Sequence, residues 1–154
     1  MPNKTNEPLS SASLRARAIA ALARREHSRQ ELERKLGALA ESEDQLSTIL
    51  DQLQNEGLLS DQRYAESVSR VRGQRYGNAR VLHELRQKGV DSQDLELITQ
   101  QLRETESTRI REVWQKRFNS LPQTPEETAR QQRFLLQRGF PTELIYRLFR
   151  ELRA

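Results

Sequence analysis

The stretch Val81–Leu102, VLHELRQKGVDSQDLELITQQL, decides the fold. Val81 and Leu85, then Leu95, Ile98 and Leu102, recur at the three- and four-residue spacing of one face of an α-helix, on either side of Gly89-Val90. The same skeleton stands about fifty residues earlier as Leu32, Leu36, Leu46, Ile49 and Leu53. It returns about fifty residues later as Leu135, Ile145, Leu148 and Leu152, with Gly89-Val90 recurring as Gly139-Phe140. Tyr64 and Trp114 share the offset. A fixed period of this length signals an array of one supersecondary unit, and such arrays usually present a long surface to an elongated partner. The repeat points to binding before chemistry.

Start and stop signals divide the array into helices. Ser28-Arg29-Gln30-Glu31 and Ser42-Glu43-Asp44-Gln45 read as capping boxes. Thr124-Pro125-Glu126-Glu127 places a capping Thr before Pro and two acids in the positive first turn. Gly57, Gly89 and Gly139 each follow an apolar-periodic run, as the left-handed residue closing a helix does. The pattern predicts helices near 11–26, 28–39, 43–56, 60–74, 78–88, 92–103, 105–119, 125–138 and 141–152, with no strand periodicity. The class is all-α: three tandem three-helix units over 11–59, 60–103 and 104–154, preceded by a flexible segment 1–10. Asn119 to Pro125 is the loosest joint.

Composition agrees with small modules. Of 154 residues, 34% are hydrophobic and 31% charged, fewer apolar residues than one compact core would want. A unit of about fifty residues is marginal alone, so neighbours are expected to support one another. The absence of cysteine excludes disulfides, thiolate metal sites and cysteine nucleophiles. No apolar run has the length of a membrane span, and Met1 to Ser11 lacks the apolar centre of a signal peptide, so a cytoplasmic protein is expected.

The net charge of +4 is unevenly spread. Lys and Arg number eight against nine acids over 1–59, eight against six over 60–103, and ten against seven over 104–154. That modest bias suits nucleic acid or an acidic protein surface. It concentrates in two acid-free stretches. One, between Glu66 and Glu84, holds Arg70, Arg72, Arg75 and Arg80 with Tyr76, Gly73 and Gly77, an uncompensated corner spanning a helix end, a turn and a helix start. It could offer guanidinium groups and helix N-terminal N–H groups to phosphates or carboxylates; the plainer alternative is a solvated basic corner with Tyr76 packed locally. The other, Thr128 to Thr142, sets Arg130, Arg133 and Arg138 around Phe134-Leu135-Leu136, with the arginines on an edge and the apolar run facing inward. Its alternative is an ordinary amphipathic helix.

Little in the chain points to catalysis. His27 and His83 are far apart and lack a companion at ligand spacing, so no metal is expected, and each reads as a polar helix-end or helix-surface residue. Trp114 and Tyr64 share a repeat position and read as core. Glu31, Glu33, Glu41, Glu43 and Asp44 form a charged face without a paired acid–base site, and no Gly-rich phosphate loop occurs. Neither catalytic residues nor cofactors are expected.

Four segments, in order, resemble the RecX family of regulatory proteins. They are Arg25-Glu26-His27-Ser28-Arg29-Gln30-Glu31-Leu32 with Lys35-Leu36; Gly57-Leu58-Leu59-Ser60-Asp61-Gln62-Arg63-Tyr64-Ala65; Gly77-Asn78-Ala79-Arg80-Val81 through Glu84-Leu85 to Lys88-Gly89-Val90; and Arg133-Phe134-Leu135-Leu136-Gln137-Arg138-Gly139-Phe140. The resemblance runs from about Leu14 to Leu152. Family members often carry an aromatic at Leu58 and an acid at Ser60, differences that touch packing and a helix cap. The resemblance implies an elongated, curved molecule that lies in the groove of the RecA–single-stranded-DNA filament. It implies suppression of RecA ATPase, strand-exchange and co-protease activities, with single- or double-stranded DNA as a further candidate partner; the chain is expected to act as a monomer. The residues expected to face the partner are Arg70, Arg72, Arg75, Tyr76, Arg80, Lys88, Arg130, Arg133 and Arg138. A sequence-indifferent DNA-binding protein of tandem helix-turn-helix-like units is the alternative, although Myb-type repeats would repeat their core tryptophan and this chain has one.

Overall fold

The structure is a computed structural model that describes residues 7–154. Among these, all regular structure is helical: α1 (Ser11–Arg24), α2 (Arg29–Leu36) running into a 3₁₀ turn (Gly37–Leu39), α3 (Glu43–Asn55), α4 (Asp61–Arg72), α5 (Asn78–Gln87), α6 (Ser92–Arg117), α7 (Pro125–Gln137) and α8 (Thr142–Arg153). Among the described residues, 7–65 with Lys88–Val90 form one compact body, and Glu66–Gln87 with Asp91–Ala154 form another.

In the first body α1, α2 and α3 pack on one another around Leu14, Ala18, Leu32, Leu36, Leu46, Ile49, Leu50, Leu53 and Leu59. The segment 1–10, expected to be flexible, lies outside the described residues as far as residue 6. Beyond it, Leu9 donates its N–H to the Leu39 carbonyl (2.8 Å) and accepts from Gln45 Nε2 (3.1 Å), and Ser10 caps α1. Ser28 and Glu31 form the expected capping box on α2. At α3 the Ser42 side chain accepts from Gln45 N, but Gln45 Oε1 reaches one residue further back, to the Glu41 N–H (2.7 Å). The charged residues around Arg25–Leu32 are consumed locally. Arg25 pairs with Glu31, Glu26 with Arg63, and Arg29 with Glu33 and Asp51, while Asp61 accepts the Arg29 N–H. Ser60 accepts from Arg63 N (3.2 Å), so it serves as the α4 cap in place of an acid. His27, expected at a helix end or surface, is buried with Nδ1 3.0 Å from the Arg25 carbonyl, in the loop that turns α1 into α2.

In the second body α5 packs on α6, and α6, α7 and α8 pack on one another around Ile110, Val113, Trp114, Leu135, Phe140, Ile145, Leu148 and Phe149. Val81, Leu85, Leu95, Ile98 and Leu102 are buried, as are Leu135, Ile145 and Leu148, so the repeated skeleton is the core of each helix pair. Gly89 and Gly139 turn those pairs at φ +79° and +92°, the left-handed region that favours glycine.

The break expected near residue 104 is absent. The helices expected at 92–103 and 105–119 are one continuous helix of 26 residues, Ser92–Arg117. No Gly or Pro interrupts residues 100–110, so the backbone has no cause to break. What changes there is the phase of the apolar stripe. Leu95, Ile98 and Leu102 would continue through Thr105 and Arg109, whereas burial resumes at Ile110, Val113 and Trp114. A shift of buried face had the look of a break.

Trp114 and Gln131 join α6 to α7 inside this core. The indole Nε1 donates to Gln131 Oε1 at 2.8 Å, and Gln131 Nε2 donates to the Ser120 carbonyl at 3.3 Å. Gln131→Ala is expected to leave the buried indole N–H unpaired and cost about 1–3 kcal/mol. The check is the urea midpoint followed by the fluorescence of this single tryptophan; an unchanged midpoint would show that water replaces the amide.

Candidate polyanion-binding surface

Residues 73–77, between α4 and α5, are held from three sides. Gly73 N and Tyr76 N close back on the Ser69 and Arg72 carbonyls, both at 2.9 Å. Gly77 N donates to the Arg138 carbonyl (2.8 Å), and a Cβ on Gly77 would lie 2.3 Å from the Gly139 carbonyl oxygen. The two turns touch backbone to backbone, which only glycine permits at Gly77.

The third restraint is Arg109 of α6. Its Nη1 donates to the Gly73 and Tyr76 carbonyls (both 2.9 Å), its Nη2 to Asn78 Oδ1 and the Leu102 carbonyl, and its Nε to Thr105 Oγ1 (3.0 Å). All five guanidinium N–H groups thus have acceptors. Burial lowers the Arg109 pKa, yet an arginine starts so high that the group stays charged. Glu106, one turn before it, accepts the Asn78 N–H at 2.7 Å.

On this frame stands Tyr76, half-buried, with the guanidinium carbons of Arg80, Arg72 and Arg138 at 4.1, 4.5 and 5.1 Å from its ring centre. These are cation–π distances. Arg80 also donates to the Gln137 carbonyl (3.2 Å), and Arg138 lies 4.9 Å from the centre of Phe134. The structure therefore joins Arg138, from the second acid-free stretch, to Arg72, Tyr76 and Arg80 from the first. Arg70 and Arg75 are exposed on the segments leading into and through the turn. Arg130 and Arg133 are exposed on α7 and outside the tyrosine cluster, and Lys88 belongs to the other body. Leu136, expected to face inward, is 54% exposed; Leu135 alone of its run is buried, since α7 turns its neighbours away from the core.

The corner is less bare than its sequence implies. Glu84 lies one helical turn beyond Arg80 and binds Arg72 through both oxygens, at 3.0 Å to Nε and 2.7 Å to Nη2. With Glu106 on the Asn78 N–H, two carboxylates from outside the stretch answer part of its polarity. That leading N–H of α5 is taken and cannot serve phosphate. Arg109, Glu106, Lys116 and Arg117 are the residues that sequence reasoning missed. The available signal was Arg109 itself, a cation seven residues beyond Leu102 where the stripe calls for an apolar side chain.

The hydrogen bonds from Arg72 hold the Glu84 carboxyl below its usual range, against a smaller opposing effect of burial. A lowered folded-state pKa gives stability that is present above the unfolded value, about 4.3, and lost as pH falls through the folded value. Wild type is therefore expected to exceed Glu84→Gln in urea midpoint at neutral pH, with the gap closing as pH falls below about 4.3. A gap independent of pH would assign the difference to packing.

The described residues contain no group of acids and histidines able to hold a metal ion, and no helix long and apolar enough to cross a membrane. The class so defined is an all-helical repeat protein with a locked arginine surface. Residues 60–96 match the family model for the second three-helix domain of RecX, and residues 104–149 match that for the third. The regulatory protein RecX of Ralstonia nicotianae is 43% identical over 136 residues, 88% of this chain and 86% of that protein. RecX of Pseudomonas putida KT2440 is 47% identical over 140 residues, 88% of each chain. The crystal structure of RecX from Lactobacillus salivarius superposes with a TM-score of 0.72 at 26% identity, covering 92% of this chain and 96% of that one. This chain belongs to the RecX family of regulatory proteins.

Proposed function

We propose that this chain is a non-enzymatic, monomeric, cytoplasmic regulator that binds in the groove of the RecA–single-stranded-DNA filament. On this reading it lowers RecA ATPase, strand-exchange and co-protease activities. Membership of a family of proteins named as regulatory carries the reading. The arginine cluster around Tyr76 supports it, because a rigid cationic surface suits a nucleoprotein partner. The three-unit division at 60 and 104 belongs to the same proposal, each unit supplying part of an extended contact whose weak interactions multiply.

Sub-equimolar protein is expected to lower DNA-dependent ATP hydrolysis by RecA, and excess single-stranded DNA is expected not to restore it fully. Co-sedimentation with filaments alongside the steady-state ATPase rate makes the test. An unchanged rate at excess protein would remove the reading. The unpaired cations of the second body favour a second one, sequence-indifferent DNA binding with the recombinase incidental. Complete relief by free DNA, in step with DNA affinity, would select it.

A further inference from the structure

Beside the Tyr76 cluster, a groove of about 240 Å³ is lined by Gln74 and Arg75 of the turn, Lys116 and Arg117 at the end of α6, and Phe134 and Arg138 at the end of α7. It lies wholly within the second body. Four cations face it and no carboxylate does. None of the four takes part in an ion pair among the described residues, whereas Arg72, Arg111 and Arg147 of the same body each have a glutamate.

Helix ends account for part of this. A cation at a helix C-terminus is stabilised by about half a negative charge there. Three helix ends, of α4, α6 and α7, would supply about −1.5 in all, less than half of what four cations carry. Each cation has a local reason to be where it is. Their convergence from three segments on one concavity does not follow from those local reasons, and it leaves an uncompensated positive field.

The aromatic rings specify what kind of anion fits. Phe134 has Arg138 at 4.9 Å and Arg117 at 5.8 Å from its centre, and meets Phe118 edge to face at 5.3 Å. Tyr76 has three guanidinium groups over it. Rings so covered present little free face for a base to stack on. A guanidinium held at cation–π distance from a ring is restrained in place, so less freedom is lost when its N–H donors meet an anion. Donors arriving from three segments suit a tetrahedral anion, whose oxygens point several ways, better than a carboxylate, whose two oxygens share one edge. The volume is below the roughly 300–1,000 Å³ that encloses a drug-sized molecule, and suits one small charged group.

We propose that this groove receives a backbone phosphodiester of a nucleic-acid strand, gripping charge without stacking on bases. The proposal rests on the reading that the chain works on a DNA filament, and it adds Lys116 and Arg117 to the surface.

The test uses the full chain, fluorescence anisotropy and two labelled strands of equal length, an oligothymidylate and an abasic strand with the same phosphates. Wild type is expected to bind both within about twofold, since base–aromatic stacking would add about 1–3 kcal/mol per base to the first strand alone. Lys116→Ala/Arg117→Ala is expected to weaken both strands alike and to flatten the salt dependence by about 0.7 in log–log slope for each phosphate no longer neutralised. Arg86→Ala, an exposed cation outside the groove, is the charge control and should alter the slope less. Tighter binding of the oligothymidylate by tenfold or more would overturn the proposal without any variant. So would a double variant that keeps its helicity and its slope, or one that loses affinity for polyglutamate and not for DNA. Loss of DNA affinity with RecA inhibition absent even in wild type would instead sink the filament reading and leave the groove standing.

Discussion

Gly77→Ala is expected to destabilise the protein by about 3 kcal/mol, the upper part of the range for forcing an extra carbon into packed structure. The atoms that a Cβ would meet are the Gly139 carbonyl oxygen and carbon at 2.3 and 2.4 Å and the Phe140 nitrogen at 2.6 Å. All three are backbone, and they belong to a turn that has no easy retreat. Gly139 sits at φ +92° with Arg80 against its own α-carbon hydrogens, and Phe140 is in the core. For a chain of this size 1 kcal/mol moves the melting temperature by about 2–4 °C, so a fall of roughly 6–12 °C should be seen by circular dichroism. The Gly77 N–H bond to the Arg138 carbonyl is stretched by the same movement, and Arg138 leaves its place over Tyr76. Affinity for single-stranded DNA should fall with stability. A variant that melts with wild type would mean that the two turns do not touch in solution.

That backbone approach also shows what kind of information the sequence displays openly. Gly57, Gly89 and Gly139 could be read as helix closers, and all three adopt positive φ, because the requirement is local and the residue meets it alone. The caps at Ser28, Ser42 and Thr124 were legible for the same reason. The core was legible because a periodic skeleton repeated three times leaves little choice of face. Gly77 stood out only as one of two glycines in a basic stretch. Its reason, the backbone of residue 139 passing against it, depends on how α5, α6 and α7 pack and has no local trace.

The arginine cluster divides along the same line. Composition marked Arg72, Tyr76, Arg80 and Arg138, and the fold brings them together. Composition also marked the corner as uncompensated, and Glu84 shows why that failed. It stands at the edge of the acid-free window, but the turn folds α5 back beside the end of α4 and delivers its carboxylate to Arg72. Charge counted along a chain cannot register a neighbour supplied by a turn. The misplaced break near Glu104 has a related origin: a periodicity argument equates a change of buried face with a change of element, and α6 changes its face without stopping.

Arg109 stands at that change of face, and its replacement is the second large effect expected. Arg109→Ala removes donors from the carbonyls of Gly73, Tyr76 and Leu102 and from the amide oxygen of Asn78 at one stroke. A hydrogen bond to a charged group contributes about 1.5–3 kcal/mol, and buried acceptors left bare cost more than the bond was worth. Neighbouring bonds of one side chain are not additive, and water will reach the opened turn, so a loss of about 2–4 kcal/mol is expected in urea unfolding. Lysine is not a remedy. Its ammonium group has three donors on one atom, where the turn requires a planar fork spanning carbonyls on both sides of Arg75. Arg109→Lys should therefore recover less than half of the loss. Arg109→Met, which keeps much of the stem, separates packing from polar restraint and should resemble Ala if the bonds dominate. The functional consequence is specific. With residues 73–78 untethered, Tyr76 and the guanidiniums over it lose their fixed geometry, so hydrogen exchange of those amides should accelerate while the amides of α7 and α8 keep their protection. Binding to the abasic strand and to the oligothymidylate should weaken together. Equal acceleration throughout α6, α7 and α8 would make Arg109 a support of the whole body and not the anchor of this turn.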